Sequence, residues 1–246
     1  MHKRPHRIAG SGGLCAALAL GLTLCLSACA GTGQVARWEA DGDDQALRRA
    51  LDDDSDEVRA AAAQALVRYA AYETARPGVL STLRSSQHPE AKEALKQLYG
   101  VPPKRTPDPH GRGVPPGGAV LYLYRPADDD GEARWVSCDD RKLVRLQPGR
   151  YFRLETTRGS HTLSVEMPDV AAALTDDPSD SGDRMQRVAP MRSVVDAHTP
   201  GVYFVRHRAL AGKRKPELRV MPVEPALRAV IPAQPAAKAD LAPAGE

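Results

Sequence analysis

The chain has 246 residues, with 34 Lys and Arg against 31 Asp and Glu, and only 4% aromatic residues. That length gives one or two small domains. Three of the basic residues and none of the acidic ones fall in the first 28, so the rest is balanced at 31 against 31, and a basic nucleic-acid-binding face has no support.

His2-Lys3-Arg4-Pro5-His6-Arg7 is a short basic segment, and Leu14 to Leu26 is an uncharged, Leu- and Ala-rich run. The run is too short to span a bilayer and has the layout of a signal peptide. It ends in Leu26-Ser27-Ala28-Cys29. These four residues resemble the lipobox of bacterial lipoproteins: Leu, small, small, Cys. The resemblance implies cleavage between Ala28 and Cys29, an S-diacylglycerol and an N-acyl chain on Cys29, and no other cofactor. The alternative is an ordinary secretory signal cut after Ala28, with Cys29 a free thiol. Several acyl chains at about 0.8 kcal/mol per buried CH₂ would make escape from a membrane slow. Ala30 stands where an Asp would resemble an inner-membrane retention signal, so the expected location is the periplasmic face of the outer membrane. Residues 1–28 are therefore read as signal and 29–33 as anchor and tether. Cys15 and Cys25 leave with the signal and Cys29 carries lipid, so Cys138 has no partner for an intramolecular disulfide.

Residues 34–100 are Ala-rich and charged, and predict helices. Leu47, Ala50, Val58, Ala61, Ala62, Ala65 and Leu66 recur 33 residues later as Leu80, Leu83, Ala91, Ala94, Leu95, Leu98 and Tyr99. The second half of each set follows i, i+3, i+4, i+7, i+8, one face of a helix. Asp54 is the expected N-cap of the first such helix, with Glu57 reaching back to it, and Pro89 sits in the first turn of the second. Asp54-Ser55-Asp56-Glu57-Val58-Arg59 with Ala61, Ala62, Ala65 and Leu66 resembles the turn and second helix of a HEAT repeat. The second unit departs from it, with Ala91-Lys92 where Val-Arg is usual. An unrelated pair of helical hairpins fits the same periodicity. Repeats bury their faces against neighbours, and two are fewer than normally stand alone. Leu95, Leu98 and Tyr99 thus make an apolar end to be covered by an envelope protein partner.

Residues 101–118 are rich in Pro and Gly and read as a semi-extended linker. From Ala119 the pattern changes to short β-rich runs. Ala119 to Arg125 is apolar on both faces, as a central strand would be. Arg134 to Cys138, Lys142 to Leu146, Tyr151 to Thr156, His161 to Met167, Met191 to Ala197, Val202 to Ala209 and Glu217 to Val223 bring the total to about eight strands, spaced as in an all-β sandwich. Turns are expected at Asp139-Asp140-Arg141, Gln147-Pro148-Gly149 and Arg158-Gly159-Ser160, and a long acidic loop over Asp169 to Gln186. Residues 225–246 are Ala- and Pro-rich and read as disordered.

Val120-Leu121-Tyr122-Leu123-Tyr124-Arg125-Pro126, Gly149-Arg150-Tyr151-Phe152, Gly159-Ser160-His161 and Gly201-Val202-Tyr203-Phe204-Val205 resemble, in order and spacing, a bacterial lipoprotein β-domain of unknown function. The resemblance implies a small β-sandwich without an established activity. Asp140 replaces the Gly of its usual Val-Asp-Gly hairpin; Asp tolerates the left-handed backbone such a turn requires.

The acidic run Asp52 to Glu57 does not make an EF-hand, which needs Gly at its sixth and Glu at its twelfth position, where this chain has Glu57 and Ala63. Those acids favour a helix N-terminus instead. The loop acids Asp176 to Asp183 read as solvated. His88, His110, His161, His198 and His207 include no helical i, i+4 pair and no His-Glu-x-x-His, so no metal site is read from spacing. His161 reads as a turn residue bonded to backbone, and Cys138 as a small buried hydrophobe, with a reactive thiol the alternative. Arg206-His207-Arg208 and Lys213-Arg214-Lys215 make a basic end.

The sequence thus predicts an α+β chain of two domains: a HEAT-like helical pair (34–100) and, beyond the linker, an antiparallel β-sandwich (119–224). No catalytic residues emerge. The expected function is a non-catalytic binding or scaffold component of the cell envelope, lipid-anchored in the membrane, with a protein partner and a glycan as second partner class. The competing expectation is an envelope hydrolase with a cross-strand His/Asp site.

Overall fold

The computed structural model describes residues 31–129, 131–166, 190–208 and 217–243. The signal segment, Ala28 and Cys29, the acidic loop and Lys213 to Lys215 lie outside the described residues. The fold is α+β, and the chain forms two compact units: residues 31–68 with 82–99, and residues 69–81 with 100–243. The first boundary differs from the contiguous 34–100 read from the sequence. Residues 69–81 count with the strands because Lys104 N–H donates to the Ala71 carbonyl (2.7 Å) and Glu73 N–H to the Lys104 carbonyl (2.9 Å).

The helical elements are α1 (31–41), α2 (Asp44–Arg49) with a 3₁₀ turn at Ala50–Asp52, α3 (Asp56–Tyr69), α4 (Arg76–Ser85) and α5 (Pro89–Leu98). Asp43 caps α2 through Ala46 N–H (3.0 Å). The cap of α3 is Ser55, one residue later than expected: its Oγ accepts from Val58 N–H (3.3 Å) and donates to Glu57 (2.8 Å). Two adjacent capping residues compete here, and Asp53 takes the supporting place by accepting from Ser55 N–H (3.0 Å). Pro89 opens α5 as predicted. Val35, Leu47, Leu51, Ala62, Leu66, Leu83 and Ala94 are buried in this unit. Arg59 of α3 reaches Glu90 of α5 at 2.9 Å.

The second unit holds two sheets. One has the order β8-β7-β1-β4-β9 and the other β3-β2-β5-β6, with β1 Gly118–Tyr124, β2 Arg134–Cys138, β3 Arg141–Leu146, β4 Arg150–Thr157, β5 Gly159–Val165, β6 Met191–Ala197, β7 Gly201–Arg208, β8 Glu217–Met221 and β9 Gln234–Pro235. Pairing is mostly antiparallel. Two pairs are parallel, β1 with β7 and β4 with β9, a departure from the expected antiparallel arrangement. All seven residues of β1 are buried. Its two faces belong to different clusters: Ala119, Leu121 and Leu123 join Val136, Cys138, Leu163 and Val195 of the other sheet. Val120, Tyr122 and Tyr124 face Phe204, Val223, Ala226 and Val230.

The last three come from α6 (Val223–Val230), which corrects the disordered reading of residues 225–246. Val223, Ala226, Leu227 and Val230 fall at i, i+3, i+4, i+7, so one apolar stripe suffices to seat a short helix on a sheet. Beyond it, β9 pairs with β4, and the buried Asp240 accepts from Gln147 Nε2 at 2.9 Å. The linker reading of 101–118 is corrected too. Thr106 is buried against Thr74 (2.9 Å), and Asp108 accepts from Tyr122 Oη (2.5 Å). These contacts satisfy the segment's polar groups on the unit itself, which a free linker would leave to water.

Candidate functional site

β2 and β3 are joined by Asp139 and Asp140, both left-handed (φ 49° and 64°). This is the backbone a two-residue hairpin requires. β5 pairs with the other edge of β2, Cys138 opposite Leu163. That register sets the Asp139 carboxylate over the start of β5. Oδ1 accepts from Thr162 N–H (2.8 Å), and Oδ2 lies 2.7 Å from His161 Nδ1. The other ring nitrogen, Nε2, is 2.9 Å from the Thr157 carbonyl oxygen and 3.1 Å from Thr156 Oγ1. Cys138 Sγ is 3.7 Å from Asp139 Oδ2. The hydrogen bond with His161, then that from Thr162, holds the Asp139 carboxyl below its usual value. Burial, then the Asp139 charge, pushes the Cys138 thiol up to about 12. It is therefore protonated at neutral pH and is no nucleophile.

A second polar centre lies at the end of β1. Arg125 is wholly buried. Its Nε donates to Asp129 Oδ2 (2.7 Å), Nη1 to the carbonyls of Glu132 (2.5 Å) and Leu146 (3.1 Å), and Nη2 to that of Gly131. His207, on β7, is 1% exposed, and neither ring nitrogen has a hydrogen-bond partner among the described residues. Burial first, then the Arg125 charge, lowers its pKa to about 4.

The third feature is a cleft of about 170 Å³ lined by His110, Arg112, Tyr151, Phe152, Arg153, Pro235, Ala236 and Leu241. The His110 and Tyr151 rings stack at 4.3 Å, with Tyr122 5.7 Å from His110. Arg153 donates to Asp108 Oδ2 (3.3 Å), the Gly113 carbonyl (2.5 Å) and Glu155. Burial alone would raise the Asp108 carboxyl; the hydrogen bonds from Tyr122 and His110 N–H, with the Arg153 charge, outweigh it and hold it low. Arg153 and its two acids leave one negative charge, which the exposed Arg112 balances. The cleft escaped the sequence reading because its walls come from the segment read as linker and the tail read as disordered.

Of the residues proposed from sequence for a protein partner, Tyr99 is 57% exposed and Leu95 half-buried, but Leu98 is only 3% exposed. Leu98 is a core residue of the helical unit and cannot face a partner; as the i+4 neighbour of Ala94, it continues the buried face of α5. His161 does bond backbone, and a carboxylate as well. The competing expectation holds a cross-strand His/Asp pair without naming its acid; the sequence reads Asp139 only as part of a turn, and a helical spacing rule does not see a pair between the β2–β3 turn and β5. Among the described residues, no helix is long and apolar enough to cross a membrane. No family model matches the chain, and no curated protein or solved structure does either.

Proposed function

We propose that this chain is a bacterial lipoprotein, held by acyl chains on Cys29 at the periplasmic face of the outer membrane, that binds envelope components and catalyses nothing. In this reading the helices α2 to α5 are two HEAT-like units, and the two sheets, whose side chains share one apolar cluster, are a β-sandwich. The lipobox Leu26-Ser27-Ala28-Cys29 supports the anchor.

The binding reading is carried by the cleft. At about 170 Å³ it is smaller than the roughly 300–1,000 Å³ of pockets that enclose a whole ligand. It suits one ring of a longer molecule. Aromatic rings beside charge-balanced hydrogen-bond donors fit a sugar ring of an envelope glycan better than a free anion. Titration of the full chain in detergent with soluble glycan strands should give saturable binding that Tyr151→Ala and Arg112→Ala weaken about tenfold or more. Absence of binding by the wild-type chain would remove the glycan. A protein partner, docked at Leu95 and Tyr99, is read out separately by capture from membranes with Leu95→Asp and Tyr99→Ala. The anchor is tested by lipid labelling: Cys29→Ser should abolish it, and unchanged labelling refutes the lipobox.

The His161–Asp139 contact favours the hydrolase as a second reading. Against it stands the ring geometry. A general base needs its second nitrogen open to a nucleophile; here Nε2 meets the Thr157 carbonyl (2.9 Å) and the Thr156 hydroxyl (3.1 Å), both part of the protein's own β4.

A further inference from the structure

His161 Nδ1 faces Asp139 Oδ2 at 2.7 Å, and Nε2 lies between the Thr157 carbonyl (2.9 Å), which can only accept, and Thr156 Oγ1 (3.1 Å), which can accept or donate. A neutral imidazole carries one N–H, so its two tautomers bond differently: Nδ1–H on Asp139 with Nε2 accepting from the Thr156 hydroxyl, or Nε2–H on the Thr157 carbonyl. In the second tautomer the Nδ1 lone pair points at the carboxylate oxygen, and a cation between them joins the two. A proton is one such cation. The neighbourhood supplies the donors for a metal ion: Cys138 Sγ, an Asp139 carboxylate oxygen and a ring nitrogen of His161 all lie within 4.8 Å of one another, and Nδ1 is the nitrogen that faces the carboxylate.

We propose that Cys138, Asp139 and His161 bind one zinc ion, with water as the fourth ligand. The mixed sulfur, nitrogen and oxygen set suits Zn²⁺ and not Mg²⁺ or Ca²⁺, which take oxygen alone. Bonds of about 2.0–2.3 Å in a tetrahedron place ligand atoms roughly 3.3–3.6 Å apart. The Sγ to Oδ2 separation of 3.7 Å is about 0.1 Å beyond this range. Nδ1 and Oδ2 must part by about half an ångström, which the Asp139 side chain, 53% exposed, has room to do. The outer shell is in place: the Thr157 carbonyl accepts from Nε2–H in the tautomer whose Nδ1 ligates, and Thr162 N–H holds the second carboxylate oxygen (2.8 Å). Such partners orient ligands and raise their basicity. The buried Cys138 closes the inner side of the site, and the exposed Asp139 side gives the ion its entry and its water. Zinc displaces the thiol proton and the proton between Nδ1 and Oδ2, so the net charge of the site does not change on binding.

The test loads the full chain in detergent with Co²⁺ as a spectroscopic substitute for Zn²⁺. A thiolate-to-cobalt charge-transfer band together with strong tetrahedral visible bands is expected, and Zn²⁺ should abolish both by displacement. Cys138→Ser should remove the charge-transfer band. His161→Gln should weaken Zn²⁺ binding about tenfold or more with the β-sheet circular dichroism unchanged. No charge-transfer band in the wild-type chain overturns the proposal. So does binding that survives both substitutions, which would place the metal elsewhere.

Discussion

His161 and His207 lie in the same unit, each on a strand and each nearly inaccessible, yet their surroundings are opposite. At the Asp139 turn, a carboxylate and a carbonyl close on both nitrogens of His161. Burial alone would lower its pKa, but the bonds with Asp139 and Thr157 outweigh burial and raise it. By the Arg125 loop, the acceptors are taken. Asp129 and the carbonyls of Gly131, Glu132 and Leu146 all serve the guanidinium, and His207 is left neutral beside it. The same residue type is thus polar machinery in one region and apolar filler in the other. What separates them is which side chain the nearby acceptors bond. Arginine wins where several carbonyls converge, because its five donors fan out in a plane.

The largest effect should come from breaking the Arg125 loop. Arg125→Ala removes the buried guanidinium that bonds Asp129 and the carbonyls of Gly131, Glu132 and Leu146. Removing one partner of a buried pair costs about 3–5 kcal/mol, and urea unfolding followed by Trp135 fluorescence, with Trp38→Phe to isolate it, measures the loss. A drop under 1 kcal/mol would mean that water replaces the guanidinium. Next in size is the pH dependence carried by His207. Its folded pKa of about 4 lies below the unfolded value of roughly 6.5. Between those values only the unfolded chain binds the proton, so stability is complete above the unfolded pKa and falls as pH drops through the window. The full loss by pH 4 is about 3 kcal/mol. Arg125 and Arg134 oppose the charge and Asp129 favours it. His207→Leu should remove this part of the acid sensitivity and leave neutral-pH stability within about 1 kcal/mol, since no hydrogen bond of the ring to a described residue is lost. An unchanged acid profile would show that the ring already finds a proton acceptor.

Much of the second unit could be read from pattern alone. The alternation of β2 places Val136 and Cys138 together, and both are in the core. The two apolar faces of β1 announce a strand covered on both sides, although not by what. The cover is α6, whose stripe at Val223, Ala226, Leu227 and Val230 was present but lost among Ala and Pro. Asp108 was equally hidden: a single carboxylate in a Pro- and Gly-rich segment, it becomes structural only when Tyr122 and Arg153 arrive from β1 and β4. The Asp139–His161 contact depends on the pairing of β2 with β5, two strands not adjacent in sequence. Register between such strands is set by the whole core and leaves no local signature. The parallel pairing of β1 with β7 was illegible for the same reason. In the helical unit, the 33-residue recurrence pointed to the buried faces of α3 and α5. It misjudged Leu98, because period marks which residues share a face but not whether a neighbour covers it.

The smallest effects sharpen the comparison at the Asp139 turn itself, where two adjacent residues share a backbone conformation and differ in what their side chains do. Asp139 and Asp140 both have positive φ, a conformation that glycine adopts without strain. Asp140→Gly relieves that strain at an exposed position, offset by the greater freedom of the unfolded chain, and the net should be within about 0.5 kcal/mol of zero or slightly stabilising. Asp139→Gly gains the same relief but loses the bonds with His161 and Thr162 N–H. Each is worth about 1 kcal/mol, less where solvent reaches the carboxylate, so a net cost of about 1 kcal/mol is expected. The difference between the two variants, read from urea midpoints at pH 7 without added metal, is the worth of the carboxylate with the backbone term cancelled. Equal midpoints would mean that the carboxylate contributes nothing to folding, and that Asp139 is held at this turn only by what it binds.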